Sequence, residues 1–211
     1  MNHFLIWDAD GAIFDTYPAF GRAFGAALVE LGATARTDWL VGLCKQSVSH
    51  CATTLAAQFG LDANDVLRGY VKHYTAIPPQ EQPPFPGVAE LCARVRATGG
   101  ENFIVTHRGR QSLTQLLAVH QMGAYFADCL TADDGYPRKP NPASLKEMIA
   151  RHHLEREKVL AIGDRDIDIL AGRAAGVRTC LFSATSSKVV ADYSITDFCR
   201  IGSSAHRLKA R

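Results

Sequence analysis

The chain has 211 residues, of which 47% are hydrophobic and 21% charged, with a formal net charge of +2. That length buries a real core and holds one domain or one and a half. The balance excludes both a strongly basic nucleic-acid footprint and an acidic disordered chain, and no apolar run approaches the length of a signal core or membrane span.

The first predicted element is the apolar run His3–Trp7, read as a buried strand. It empties into Asp8-Ala9-Asp10-Gly11, two carboxylates two residues apart followed by a residue that permits a tight turn. Acids at i and i+2 of extended chain converge on one side, so a metal ion, a cationic partner or a shared proton must offset their repulsion. Alone this is a weak signal, because Asp and Gly also build ordinary turns.

Residues 19–31, 46–59 and 62–74 each carry helical periodicity with no clear strand between them. The stretch 78–86 then holds five prolines in nine residues and reads as an extended, semi-rigid linker. The expected domains are therefore a helical insert over 17–84 and a second domain made of 1–16 and 85–211. Leu43 to Ser47 is expected to be a substrate-facing loop or helix start, with Lys45 and Ser47 near a helix N-terminus; a solvated surface lysine explains Lys45 equally well.

From residue 87 onward strand and helix signals alternate. The expected strands are 103–106, 129–132, 159–162 and 178–182, and the expected helices 87–98, 109–120, 142–153 and 166–175. Such alternation predicts an α/β fold, a parallel sheet with helices on both faces. Three further motifs end strands or open helices. Thr106-His107-Arg108-Gly109 offers a hydroxyl and backbone N–H groups suited to an anion, or simply a helix cap; Arg108 could touch substrate or pair with surface acids. Arg138-Lys139-Pro140-Asn141-Pro142 launches a lysine from a rigid base. Gly163-Asp164-Arg165-Asp166-Ile167-Asp168 sets Asp164 at a strand end and Asp168 one helical turn on, whereas Asp166 serves the helix N-terminus. The six cysteines show no CxxC pair and no zinc-site spacing, which predicts core packing in a reduced, cytoplasmic setting. The tail, with Arg207, Lys209 and Arg211, is expected to be a solvated terminus.

Each motif has an ordinary structural explanation, but all four belong to carboxyl ends of strands, where open parallel sheets bind ligands. Carboxylates suit Mg²⁺, and Lys139 with Thr106 suits a phosphoryl group. Asp8-Ala-Asp-Gly-Ala-Ile-Phe-Asp-Thr16, Ile104-Val-Thr106, Lys139-Pro-Asn-Pro142 and Gly163-Asp-Arg-Asp-Ile-Asp168 together resemble, in order and spacing, the four motifs of the haloacid dehalogenase-like hydrolases. The insert resembles the helical cap of the subfamily with phosphoglycolate phosphatases and β-phosphoglucomutases. Ala12 departs from the usual Thr.

The resemblance implies a Rossmann-like core with a small helical cap inserted after the first strand. It implies an Mg²⁺-dependent phosphatase of a small phosphorylated metabolite, a monomer or homodimer working without nucleic acid or membrane. Asp8 would attack phosphorus and form an aspartyl-phosphate, and Asp10 would act as acid and then base. Asp8, Asp164 and the Asp10 carbonyl would bind the ion, with Asp168 holding its waters or Lys139. Thr106, Lys139 and N–H groups around Ala9, Asp10 and His107 would hold the phosphoryl oxygens, and Lys45 and Ser47 would face the rest of the substrate. Asp10 argues against dehalogenase and phosphonatase chemistry, both of which dispense with that acid. A phosphomutase and a catalytically idle binding protein remain as alternatives.

Overall fold

The computed structural model describes residues 4–182 and 188–201. Its sheet consists of β1 (Phe4–Trp7), β2 (Glu101–Val105), β3 (Phe126–Leu130), β4 (Val159–Gly163), β5 (Arg178–Phe182) and β6 (Tyr193–Ile195). Their order is β3-β2-β1-β4-β5-β6 and every pairing is parallel, as the alternation of strand and helix signals predicts. The three-residue β6 was not expected. It lacks an apolar run and is recognisable through its pairing with β5, from Cys180 with Tyr193 to Phe182 with Ile195.

The two faces of the sheet carry separate cores because successive side chains of a strand point oppositely. Leu5 and Trp7 of β1 pack on one face with Val88 and Leu91 of α5 (Val88–Ala97) and Leu113 and Leu116 of α6 (Arg110–Val119). Ile6 between them faces Leu145 and Met148 of α7 (Ala143–Arg151) and Ala171 and Ala175 of α8 (Asp166–Ala175). The indole N–H of the fully buried Trp7 donates to Asn102 Oδ1 at 3.3 Å, so burial leaves no orphaned donor. Strand order reverses between β1 and β4, and the crevice at such a reversal is where an open α/β sheet binds ligands.

Chain contacts divide the molecule into two units, one from residues up to Phe14 and from Pro84 onward, the other Asp15–Pro83. The second unit is helical: α1 (Tyr17–Glu30), α2 (Thr37–Gln46), α3 (Val48–Phe59) and α4 (Ala63–Thr75). Phe24 stacks on Tyr70 with ring centroids 4.3 Å apart at the centre of its core, which also takes Leu28, Leu40 and Leu55. Helix α2 was not expected. Its apolar stripe is narrow, with Leu40, Leu43 and Cys44 alone buried, and Gly42 interrupts its propensity. The proline stretch contains a short 3-10 turn, Pro79–Glu81, between extended residues. Among the described residues no helix is long and apolar enough to cross a membrane. The basic tail, and His3 at the start of the first expected strand, lie outside the described residues.

Candidate active site

Three strand ends, the first turn of a helix and one loop supply the site. Asp8 follows β1, and its N–H donates to the carbonyl of Ile162 in β4 at 2.8 Å, extending the ladder by one rung and fixing the side chain at the reversal of strand order. Asp164 follows β4, Thr106 follows β2, and Asp168 lies in the first turn of α8. Lys139 arrives from the loop before α7 and is buried.

Lys139 is the electrostatic centre. Its Nζ donates to Asp8 Oδ1 at 2.9 Å and to Asp168 Oδ1 at 2.7 Å. Burial alone would lower the ammonium's pKa, but Asp168 and Asp8 raise it above the ordinary lysine value. Burial likewise works against the Asp8 anion, and Lys139 and Arg165 outweigh it, leaving that carboxyl below the usual range. Asp168 goes the other way: burial and the neighbouring Asp8 charge push it up against the pull of Lys139. One carboxylate of this buried set is thus biased to be the anion, the chemical requirement for a nucleophile.

Oxygens of Asp8, Asp164 and Asp168 lie within 4.8 Å of one another. Asp8 Oδ2 is buried and makes no hydrogen bond; the Arg165 guanidinium stands 3.6 Å away. Hard oxygen donors converging beside an unsatisfied carboxylate oxygen fit a small divalent cation. Gly163 is built into this geometry, because a Cβ there would meet Asp168 Cβ at 2.3 Å and push that carboxylate off Lys139. Asp168 Oδ2 also accepts from the Arg165 N–H at 3.2 Å.

Thr106 is buried, and its Oγ accepts from the Arg108 N–H at 3.1 Å. It does not cap α6, whose N-cap is Gly109. Among the described residues, the amides of Ala9, Asp10 and His107 donate no backbone hydrogen bond. His107 Nε2 accepts from the Lys139 N–H at 2.8 Å, which braces the lysine's backbone. Burial, then Lys139 and Arg138, push the imidazole down from 6.5 to about 3. A neutral ring is what this acceptor role requires.

A pH dependence follows. The unfolded histidine binds a proton below its ordinary pKa, whereas the folded one resists until about pH 3. Between those values the unfolded state carries more protons, so stability falls as pH falls. The thermal midpoint of the parent should therefore drop between pH 7 and pH 5, and His107→Gln, which keeps an acceptor, should drop less. Equal drops would contradict a neutral His107.

Two arginines were not foreseen in their observed places. Arg108 is buried and pairs with Asp10, Nη2 and Nε lying 2.6 and 3.0 Å from Oδ1. Arg165 stands among the three acids, at 3.6 Å from Asp8, 3.7 Å from Asp164 and 4.0 Å from Asp168. The helical unit holds Lys45 and Ser47. Lys45 is exposed in the last turn of α2, with Nζ 5.8 Å from the Tyr17 ring centroid. Ser47 caps α3, its Oγ accepting from the His50 N–H at 2.9 Å. The loop or helix start expected at 43–47 is the last turn of α2 followed by the N-cap of α3 at Ser47.

Comparison with known proteins adds to this geometry. The family model described as haloacid dehalogenase-like hydrolase matches residues 5–182. A phosphoglycolate phosphatase of Aliivibrio fischeri is 26% identical over 181 residues, covering 82% of this chain and 80% of its own. One of Cereibacter sphaeroides is 29% identical over 187 residues, covering 85% and 84%. Among solved structures, a hydrolase from Streptococcus pneumoniae is 32% identical with a TM-score of 0.66, covering 89% of this chain and 95% of that one. A structure described as a predicted phosphoglycolate phosphatase of Haemophilus somnus is 18% identical with a TM-score of 0.83, covering 94% and 96%, a likeness of fold.

Proposed function

The chain belongs to the haloacid dehalogenase-like hydrolases, and from that premise we propose that it is an Mg²⁺-dependent phosphatase acting on a small phosphorylated metabolite through an aspartyl-phosphate. The observation that carries the reading is Asp8, a buried carboxylate kept ionised by Lys139, with Oδ2 making no hydrogen bond. The names of the curated relatives, phosphoglycolate phosphatases, point to the same chemical class.

Asp8 attacks phosphorus, forming the Asp8 O–P bond as the bond from phosphorus to the ester oxygen breaks. Asp10 gives that departing oxygen a proton. Asp10 then takes a proton from the water that attacks phosphorus, and the Asp8 O–P bond breaks to release phosphate. Lys139, the Thr106 hydroxyl and the amides of Ala9, Asp10 and His107 bind the phosphoryl oxygens and offset their charge. Asp168 and Gly163 keep Lys139 in place. Asp8, Asp164 and the Asp10 carbonyl are the residues that would hold Mg²⁺, with Asp168 beside them. When bound, the ion supplies charge neutralisation for the phosphoryl group.

We propose that the helical unit sets substrate choice, with Lys45 and Ser47 as the residues through which it does so. Lys45→Ala is expected to reorder the rates across a panel of natural phosphate esters, with p-nitrophenyl phosphate little changed. One common factor for all would contradict the assignment. The function itself is tested by phosphate release with Mg²⁺ over sugar phosphates, phosphoglycolate, nucleotides and phosphorylated cofactors. Chelator-sensitive turnover of one class is expected, and full activity in excess chelator would overturn the metal assignment.

A further inference from the structure

Arg108 is a charged side chain inside the protein, 4% exposed, and the chemistry so far gives it no task. It is held at every end that can be held. Its N–H donates to Thr106 Oγ at 3.1 Å and its carbonyl accepts from Ala132 N–H at 3.1 Å. Its Nη1 donates to Ser112 Oγ at 2.5 Å, one turn into α6. Nε and Nη2 then both converge on a single atom, Oδ1 of Asp10, at 3.0 and 2.6 Å.

The usual planar match of guanidinium to carboxylate uses both oxygens. Here one oxygen takes both N–H groups, and among the described residues no hydrogen bond reaches Asp10 Oδ2. A carboxyl anchored at one oxygen and clear at the other has the arrangement required of a group that moves a proton: the anchored oxygen fixes the plane, and the clear one exchanges the proton. An unanchored Asp10, 18% exposed at its side chain, would be free to rotate toward solvent.

We propose that Arg108 is the positioning residue for Asp10, holding the carboxyl by Oδ1 so that Oδ2 serves the leaving oxygen and then the attacking water. Ser112 steadies Arg108 in that role. This rests on the phosphatase reading above. The proton is donated from Oδ2 to the ester oxygen as the P–O bond breaks, and is restored to Oδ2 from water in the second half-reaction; the guanidinium keeps its protons throughout.

The experiment is single-turnover release of the leaving group with Mg²⁺, measured for alkyl phosphate esters and for p-nitrophenyl phosphate. Alkoxides need a proton to depart, whereas p-nitrophenolate leaves without one. In Arg108→Met, alkyl release is expected to slow about 10- to 100-fold, the scale of a misplaced catalytic group. Nitrophenolate release should stay within about 3-fold of the parent, since general-acid help contributes little there. Ser112→Ala should bend the alkyl-to-aryl ratio in the same direction by less, and Arg108→Lys should recover part of it. A purely structural role for Arg108 would lower the active fraction and slow both ester classes alike. Equal losses, or none, would overturn the positioning role while leaving the phosphatase reading standing. If Arg108→Met does not fold, the ratio in Arg108→Lys and Ser112→Ala decides on the same terms. A parent chain that releases neither leaving group would overturn the phosphatase reading and this inference together.

Discussion

Asp8→Asn is expected to abolish turnover, lowering kcat by about 10⁴-fold or more, the scale seen when a covalent nucleophile is removed. The amide nearly matches the carboxylate in shape but cannot attack phosphorus. It also removes one negative charge from a cluster in which Asp8, Asp164 and Asp168 outnumber Lys139 and Arg165. Lys139 retains Asp168 as a partner at 2.7 Å, so the fold should persist. Circular dichroism and the thermal midpoint check the fold, and phosphate release checks the chemistry. Near-parent activity in the pure variant would sink the covalent mechanism.

Lys139→Ala is expected to lower kcat for every ester by a similar factor, about 10²- to 10³-fold, the loss typical of a donor aimed at developing charge. The lysine serves the phosphoryl group that all substrates share, so the ranking of substrates should survive. The variant should also be less stable, because Asp8 and Asp168 would remain buried with Arg165, 3.6 and 4.0 Å away, in place of the hydrogen-bonded lysine. Breaking such a pair costs about 3–5 kcal/mol. A substrate panel and a denaturant titration read the two effects separately. A loss confined to some substrates would mean that Lys139 contacts the leaving group instead.

Much of the sheet was legible because each central strand is a short apolar run closed by a motif residue. Phe4–Trp7 is buried along three of its four residues and stops at Asp8, and Val159–Gly163 stops at Asp164. Such strands, buried on both faces, need no long-range information to be recognised. Helix α2 was less legible, since three buried positions and a central glycine leave little periodicity to detect. The sites of Lys139 and Asp168 could be named from their motifs, but the ion pairs between them join residues 29 apart in sequence. Arg108 lay further out of reach: its partner Asp10 is 98 residues away, and only the pairing of β1 with β2 brings the two turns together. The Gly163–Asp168 packing had a local signal, a glycine at the strand end with a helical acid five positions on, which the motif itself contains. What sequence pattern conveys is which residue types end each strand. What it withholds is which of those residues touch, because that depends on strand order.

The measurement that bears most directly on the account is acid-quenched mass spectrometry of the chain during turnover of a phosphate ester with Mg²⁺. A covalent phosphoryl adduct mapped to Asp8 is expected, absent in Asp8→Asn. Its level should fall as substrate is exhausted. Sustained turnover with no adduct, or an adduct on another residue, would contradict the assignment of Asp8 as the nucleophile.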